Sequence, residues 1–166
     1  MKWIYGRQDW KTLERGLENC YLLTNGLGGF SSLTMTGAVA RNDHSVFMAC
    51  TKAPNHRINM IHRMKEELDI GESKYVLSTQ EFADGTKEEG YRYLTEFSFE
   101  TLPSWRYLIN GVEIEKEIVM AQGSNQIAVN YHLKNRGQKE ATLCVTPFFQ
   151  FEPKGEDLKE GKIFSR

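Results

Sequence analysis

Apolar and polar side chains alternate along the second half of the chain with a period of two. The clearest case is Trp105-Arg106-Tyr107-Leu108-Ile109-Asn110-Gly111-Val112-Glu113-Ile114-Glu115-Lys116. Asn-Gly between alternating segments is a strong hairpin signal, because both turn positions need positive φ. With Asn110-Gly111 as the loop, Ile109 opposes Val112 and Tyr107 opposes Ile114, which builds one apolar face. Arg106 then opposes Glu115 on the other face, an attractive cross-strand pair. The second strand runs on through Ile118 and Met120, with Glu113, Glu115 and Glu117 turned away. Gln126 to Leu133 repeats the alternation with Ile127, Val129, Tyr131 and Leu133. Asn135-Arg136-Gly137 supplies its turn, and Ala141 to Phe149 forms the next strand. Upstream, Tyr91, Tyr93, Phe97 and Phe99 share one parity, with Leu94 on the other. Asp69 to Leu77 carries a Gly71-Glu72-Ser73 turn, and 37–50 has room for one or two strands. Helical spacing is confined to Trp10, Leu13, Leu17 and Cys20, with Asp9 as the N-cap. Many short strands with almost no helix predict an all-β, antiparallel β-sandwich with one short N-terminal helix.

Length and composition narrow the class. The chain has 166 residues, 40% hydrophobic and 26% charged. That suits a single domain over 1–166. Its last stretch, 152–166, is charged and poorly apolar, and reads as a linker, a frayed end or a cut point. A net charge of −1 offers no excess of cations to a phosphate backbone, so nucleic acid is not an expected partner. No apolar run approaches the length of a membrane helix, and Met1 to Asp9 lacks a signal peptide's apolar stretch. Cys20, Cys50 and Cys144 are widely spaced, which argues against a disulfide framework or a zinc site and for a reducing cytoplasm.

Few residues carry candidate chemistry. Asn25-Gly26-Leu27-Gly28-Gly29 fails the dinucleotide fingerprint at Ser31 and has no following Gly-Lys-Ser/Thr. It reads either as a tight turn or as a loop whose backbone approaches a ligand. Asp43-His44 and Glu66-Glu67 are neighbours, and on strands neighbours point to opposite faces. On a strand, such glutamates cannot form the facing pair of glycoside hydrolysis; on a turn that objection lapses. The four histidines show no metal spacing, and no cofactor or metal is expected. The aromatic stripes fit a core face, or flat platforms for sugar rings.

Thr24-Asn25-Gly26-Leu27-Gly28-Gly29-Phe30-Ser31-Ser32-Leu33-Thr34 resembles the opening signature of the bacterial and archaeal type glycogen debranching enzymes. Gly37-Ala38 falls where that family has a serine-glycine-alanine element. Arg41 and His44 keep the arginine and histidine of an R-R-Y-H-G-L-L-like stretch, with Asn42, Asp43 and Ser45 replacing its other polar and small positions. Glu66-Glu67, Leu77-Ser78-Thr79, Gly90-Tyr91-Arg92-Tyr93-Leu94, Trp105 with Tyr107, and Glu115 to Met120 follow in the same order over about residues 20–150. The resemblance implies a galactose mutarotase-like supersandwich, the non-catalytic N-terminal domain of an amylo-α-1,6-glucosidase. An α/α-barrel domain would carry the catalytic carboxylates, so none is expected here. Asn25, Arg41 and His44 are the expected ligand-side cluster for an α-glucan such as glycogen or a malto-oligosaccharide, and Trp105 the expected platform. A free-standing carbohydrate-binding module and a small epimerase or mutarotase-like enzyme are the alternatives.

Overall fold

The structure, a computed structural model, describes residues 1–157. Two antiparallel sheets face each other across a main apolar core, as the alternation predicts, with a smaller cluster of Phe47, Ala49 and Met120 beside it. The first sheet holds β1 (Trp3–Gly6), β9 (Leu94–Phe99), β10 (Pro103–Ile109), β11 (Val112–Met120) and β12 (Ile127–Asn135), in the order β1-β9-β10-β11-β12. The second holds β2 (Leu23–Thr24), β3 (Phe30–Ser32), β4 (Ser45–Lys52), β5 (His56–Ile70) and β13 (Ala141–Pro153), in the order β13-β5-β4-β3-β2. β6 (Ser73–Val76) pairs with the far end of β5. β7 (Thr79–Glu81) and β8 (Lys87–Glu89) form a small separate hairpin.

The predicted hairpin forms in the predicted register: Ile109 meets Val112, Tyr107 meets Ile114, and Arg106 meets Glu115. Asn110 and Gly111 take φ values of 47° and 83°, as a two-residue primed turn demands. Burial along β11 alternates from end to end, with Val112, Ile114, Ile118 and Met120 inside. Lys116 occupies an inward position among them and is 4% exposed. Its Nζ donates to Glu66 Oε1 at 2.5 Å across the sandwich, and Tyr131 Oη donates to the same oxygen at 2.8 Å. Glu67 points the other way, to Lys65 at 3.2 Å, so the two glutamates diverge as a strand requires.

Three local expectations are corrected. The helix is short, α1 (Leu13–Glu18), and its N-cap is Thr12, whose hydroxyl accepts from Arg15 N at 3.4 Å. Asp9 instead lies in a preceding 3-10 turn and accepts from Gly6 N at 2.8 Å. Leu94 is fully buried together with Phe97, despite their opposite parity. Arg106 pairs with Glu96 but Tyr107 with Leu94, so Thr95 is an extra residue in β9 and reverses the alternation. Tyr91 is buried from a 3-10 turn (Gly90–Arg92) rather than from a strand. The long β5 escaped sequence reading because its polar residues do not alternate with its apolar ones.

The core gathers Trp10, Leu33, Met35, Leu68, Leu77, Leu94, Phe97, Trp105 and Ile114. Toward β12 and β13, the last strands of their sheets, it thins. Inward-facing Ile127, Val129 and Tyr131 on β12, and Ala141, Leu143 and Val145 on β13, are only half-buried. Glu152 and Pro153 belong to β13, while 158–166 lie outside the described residues.

Candidate functional site

The glycine loop connects β2 to β3, and Asn25 organises it from within. Asn25 is fully buried; its Oδ1 accepts from Leu27 N and Gly29 N, both at 3.0 Å. Its Nδ2 donates to Ser124 O at 2.9 Å and Asn125 Oδ1 at 3.1 Å. Its amide is fully engaged in tying the loop to the turn after β11, a structural role. Gly28 needs its freedom: φ is 93°, and an added Cβ would lie 3.2 Å from Pro54 O. The backbone of Gly28 and Gly29 forms one wall of a cavity of about 450 Å³.

Arg41 and His44 line that cavity too. The turn at 41–43 closes with His44 N donating to Arg41 O at 2.9 Å. His44 is 2% exposed, and its Nδ1 accepts from Ala40 N at 3.1 Å. A neutral ring so held carries its proton on Nε2, which has no partner among the described residues. Burial pushes the His44 pKa below its ordinary 6.5, the Arg41 charge adds to this, and Asp43 opposes it. Asp43 itself turns to Lys154, 3.7 Å away, so it forms no acid–base pair with His44.

Arg41 also borders a second cavity, of about 520 Å³, with Asn42, Asn59, His62, Glu81 and Gln150. Asn59 Nδ2 donates to Gln150 Oε1 at 3.1 Å, and Gln150 Nε2 to Glu156 O at 2.7 Å. Such amides and carboxylates are the groups that meet sugar hydroxyls. Sequence reading missed them, because polar residues on an irregular strand look like a solvent face. It also missed Arg57 and Lys154, which belong to the first cavity.

Trp105 lies elsewhere. It is 0% exposed, its Nε1 donates to Met35 O at 2.8 Å, and its ring packs on Tyr21 and Phe97. No sugar can stack on it in this fold, which corrects its expected role as a platform. Tyr91 and Tyr107 are likewise buried. Among the described residues no cluster of three or more His, Cys, Asp or Glu is arranged to hold a metal. No helix among them is long and apolar enough to cross a membrane.

A family model described as glycogen debranching enzyme N terminal matches residues 19–166. The membrane protein insertase YidC of Thiobacillus denitrificans is 33% identical over 60 residues, 36% of this chain and 11% of that protein. That segment is too short to bear on the whole chain. No solved structure matches.

Proposed function

The chain belongs to the family of glycogen debranching enzyme N-terminal domains, and from that premise we propose that it is a non-catalytic β domain of such an enzyme. It packs on an α/α-barrel amylo-α-1,6-glucosidase domain in the cytoplasm and helps shape an α-glucan site. The chain alone is inactive. The observation that carries the site assignment is Arg41, which borders both cavities while His44 stands in the wall of one. Guanidinium and imidazole donors hydrogen-bond sugar hydroxyls, and the Asn59–Gln150 amide pair offers further partners. Asn25 contributes by holding the loop rather than by touching the ligand.

The test uses the intact debranching enzyme. Arg41→Ala is expected to raise KM for a branched malto-oligosaccharide, with folding unchanged. Unchanged turnover and KM would remove Arg41 from the site. A free-standing binding module needs an exposed aromatic strip, and Trp105, Tyr91 and Tyr107 do not supply one.

A further inference from the structure

The cavity beside the glycine loop holds more positive charge than a neutral glucan requires. Arg41, Arg57 and Lys154 line it with one carboxylate, Asp43, which lies 3.7 Å from Lys154. Elsewhere in the described residues five of six arginines meet glutamates: Arg15 with Glu18, Arg63 with Glu88, Arg92 with Glu89, Arg106 with Glu96 and Glu115, Arg136 with Glu113; Arg7, in the first 3-10 turn, does not. Arg41 and Arg57 differ. Arg57 donates Nε to Gly28 O at 2.6 Å and lies over the Phe30 ring. Arg41 donates Nη2 to Glu18 O at 3.3 Å and Nη1 to Cys20 Sγ at 3.7 Å. Neither has a carboxylate partner among the described residues. Both are always charged, and each keeps donors that a carbonyl does not use.

A third donor stands with them. His44, 2% exposed and lining the same cavity, carries an Nε2 with no partner among the described residues. Its Nδ1 is taken by Ala40 N, so a neutral ring has a proton to give from Nε2. The site therefore joins two guanidinium groups without carboxylates, one neutral N–H donor and two positive charges in excess, in about 450 Å³. A neutral sugar uses the donors and leaves the charge unmatched. A dianion with several oxygens uses both.

We propose that this cavity binds a phosphate group, free or as the monoester of a sugar, through Arg41, Arg57 and the Nε2–H of His44. Phosphate binding shares Arg41 and His44 with the proposed glucan site, but it requires no contact with Asn59 or Gln150 in the second cavity.

The isotope-labelled full chain is titrated with inorganic phosphate, glucose 6-phosphate and glucose at constant ionic strength, and followed by NMR. Saturable shifts confined to Arg41, His44, Arg57 and the glycine loop are expected with both phosphates and not with glucose. Tighter binding of glucose 6-phosphate would identify the ester as the preferred form; equal affinity would make phosphate itself the ligand. Arg41→Gln, at an exposed turn, is expected to weaken binding about tenfold, the loss of one charge-assisted hydrogen bond. Arg57→Gln is expected to do the same. An unsaturated response, equal response to glucose, or unchanged affinity in Arg41→Gln would overturn the proposal. Maltotriose in a separate titration tests the glucan site: its failure with phosphate binding intact, or the reverse, tells the two assignments apart.

Discussion

A methyl group on residue 90 would sit 1.8 Å from the carbonyl oxygen of Leu77 and 2.6 Å from that of Ser78. Both obstacles are backbone, and Gly90 N donates to Ser78 O at 3.0 Å, so the turn is pinned against the start of β7. Gly90→Ala is expected to cost about 3 kcal/mol or more, as overpacking against immovable atoms does. Urea unfolding measures it, and a loss below about 1 kcal/mol would show that the turn relaxes freely. His44 carries a second prediction at this scale. Burial holds its folded pKa below 6.5, so the unfolded chain binds the proton more readily. Stability is unaffected well above that value and falls as pH drops from 6.5 toward the lower folded value. His62 is lowered in the same sense, by burial and then by Arg63. His44→Asn keeps an acceptor for Ala40 N without the titration. Its Tm is expected to fall less than the wild type's between about pH 7.5 and about pH 5. Equal falls would sink the assignment. At this scale the sequence singled out Arg41 and His44 as ligand-side residues, and the fold places both in the lining of one cavity. It misjudged Trp105, because alternation puts a residue on a face without saying whether that face meets water.

The β10–β11 hairpin was legible because two registers and a turn agreed, and each side chain's face follows from the next. Elements with one weak signal were not. Thr95 adds a residue to β9, and nothing in the sequence distinguishes it from the regular alternation that would leave Leu94 outside. The helix cap fell to Thr12 rather than Asp9 because the chain makes a 3-10 turn first and only then enters α1. The hairpin's dependence on its turn is testable. Gly111 has φ of 83°, a region costing a β-branched residue about 1–2 kcal/mol. Gly111→Val is expected to lose about 2 kcal/mol with an unchanged denaturant slope, since the compact state is the same. An unchanged midpoint would mean that the strands hold the register without the turn.

Across the whole molecule, the Lys116–Glu66–Tyr131 cluster joins the two sheets through the core. Lys116 and Glu66 have side-chain exposures of 5% and 6%, so each is the other's main compensation for lost water. Lys116→Met alone is expected to cost about 3–5 kcal/mol, because Glu66 stays buried without its cation. Adding Glu66→Gln should recover much of that loss, and additive losses in the double variant would refute the coupling. Burial near Glu66 also raises the Tyr107 and Tyr131 pKa values, chiefly through desolvation. Lys116 shares the parity of Ile114 and Ile118, yet nothing in the sequence names its partner; Glu66 lies on a strand whose pattern was unreadable. The thinning of the core at β12 has a consequence for handling the protein in solution. Among the described residues β12 ends its sheet, with nine residues of backbone and a half-covered apolar row beside it. Such a border recruits any extended chain it meets, including another copy of itself, and few charges guard it. Light scattering is expected to rise with concentration, and Asn130→Lys, on the outward side of β12, to delay that rise. The same lysine at Thr101, in an exposed loop, should not. Concentrated stocks are then expected to lose material through the β12 border, and a single charge placed there to keep them clear.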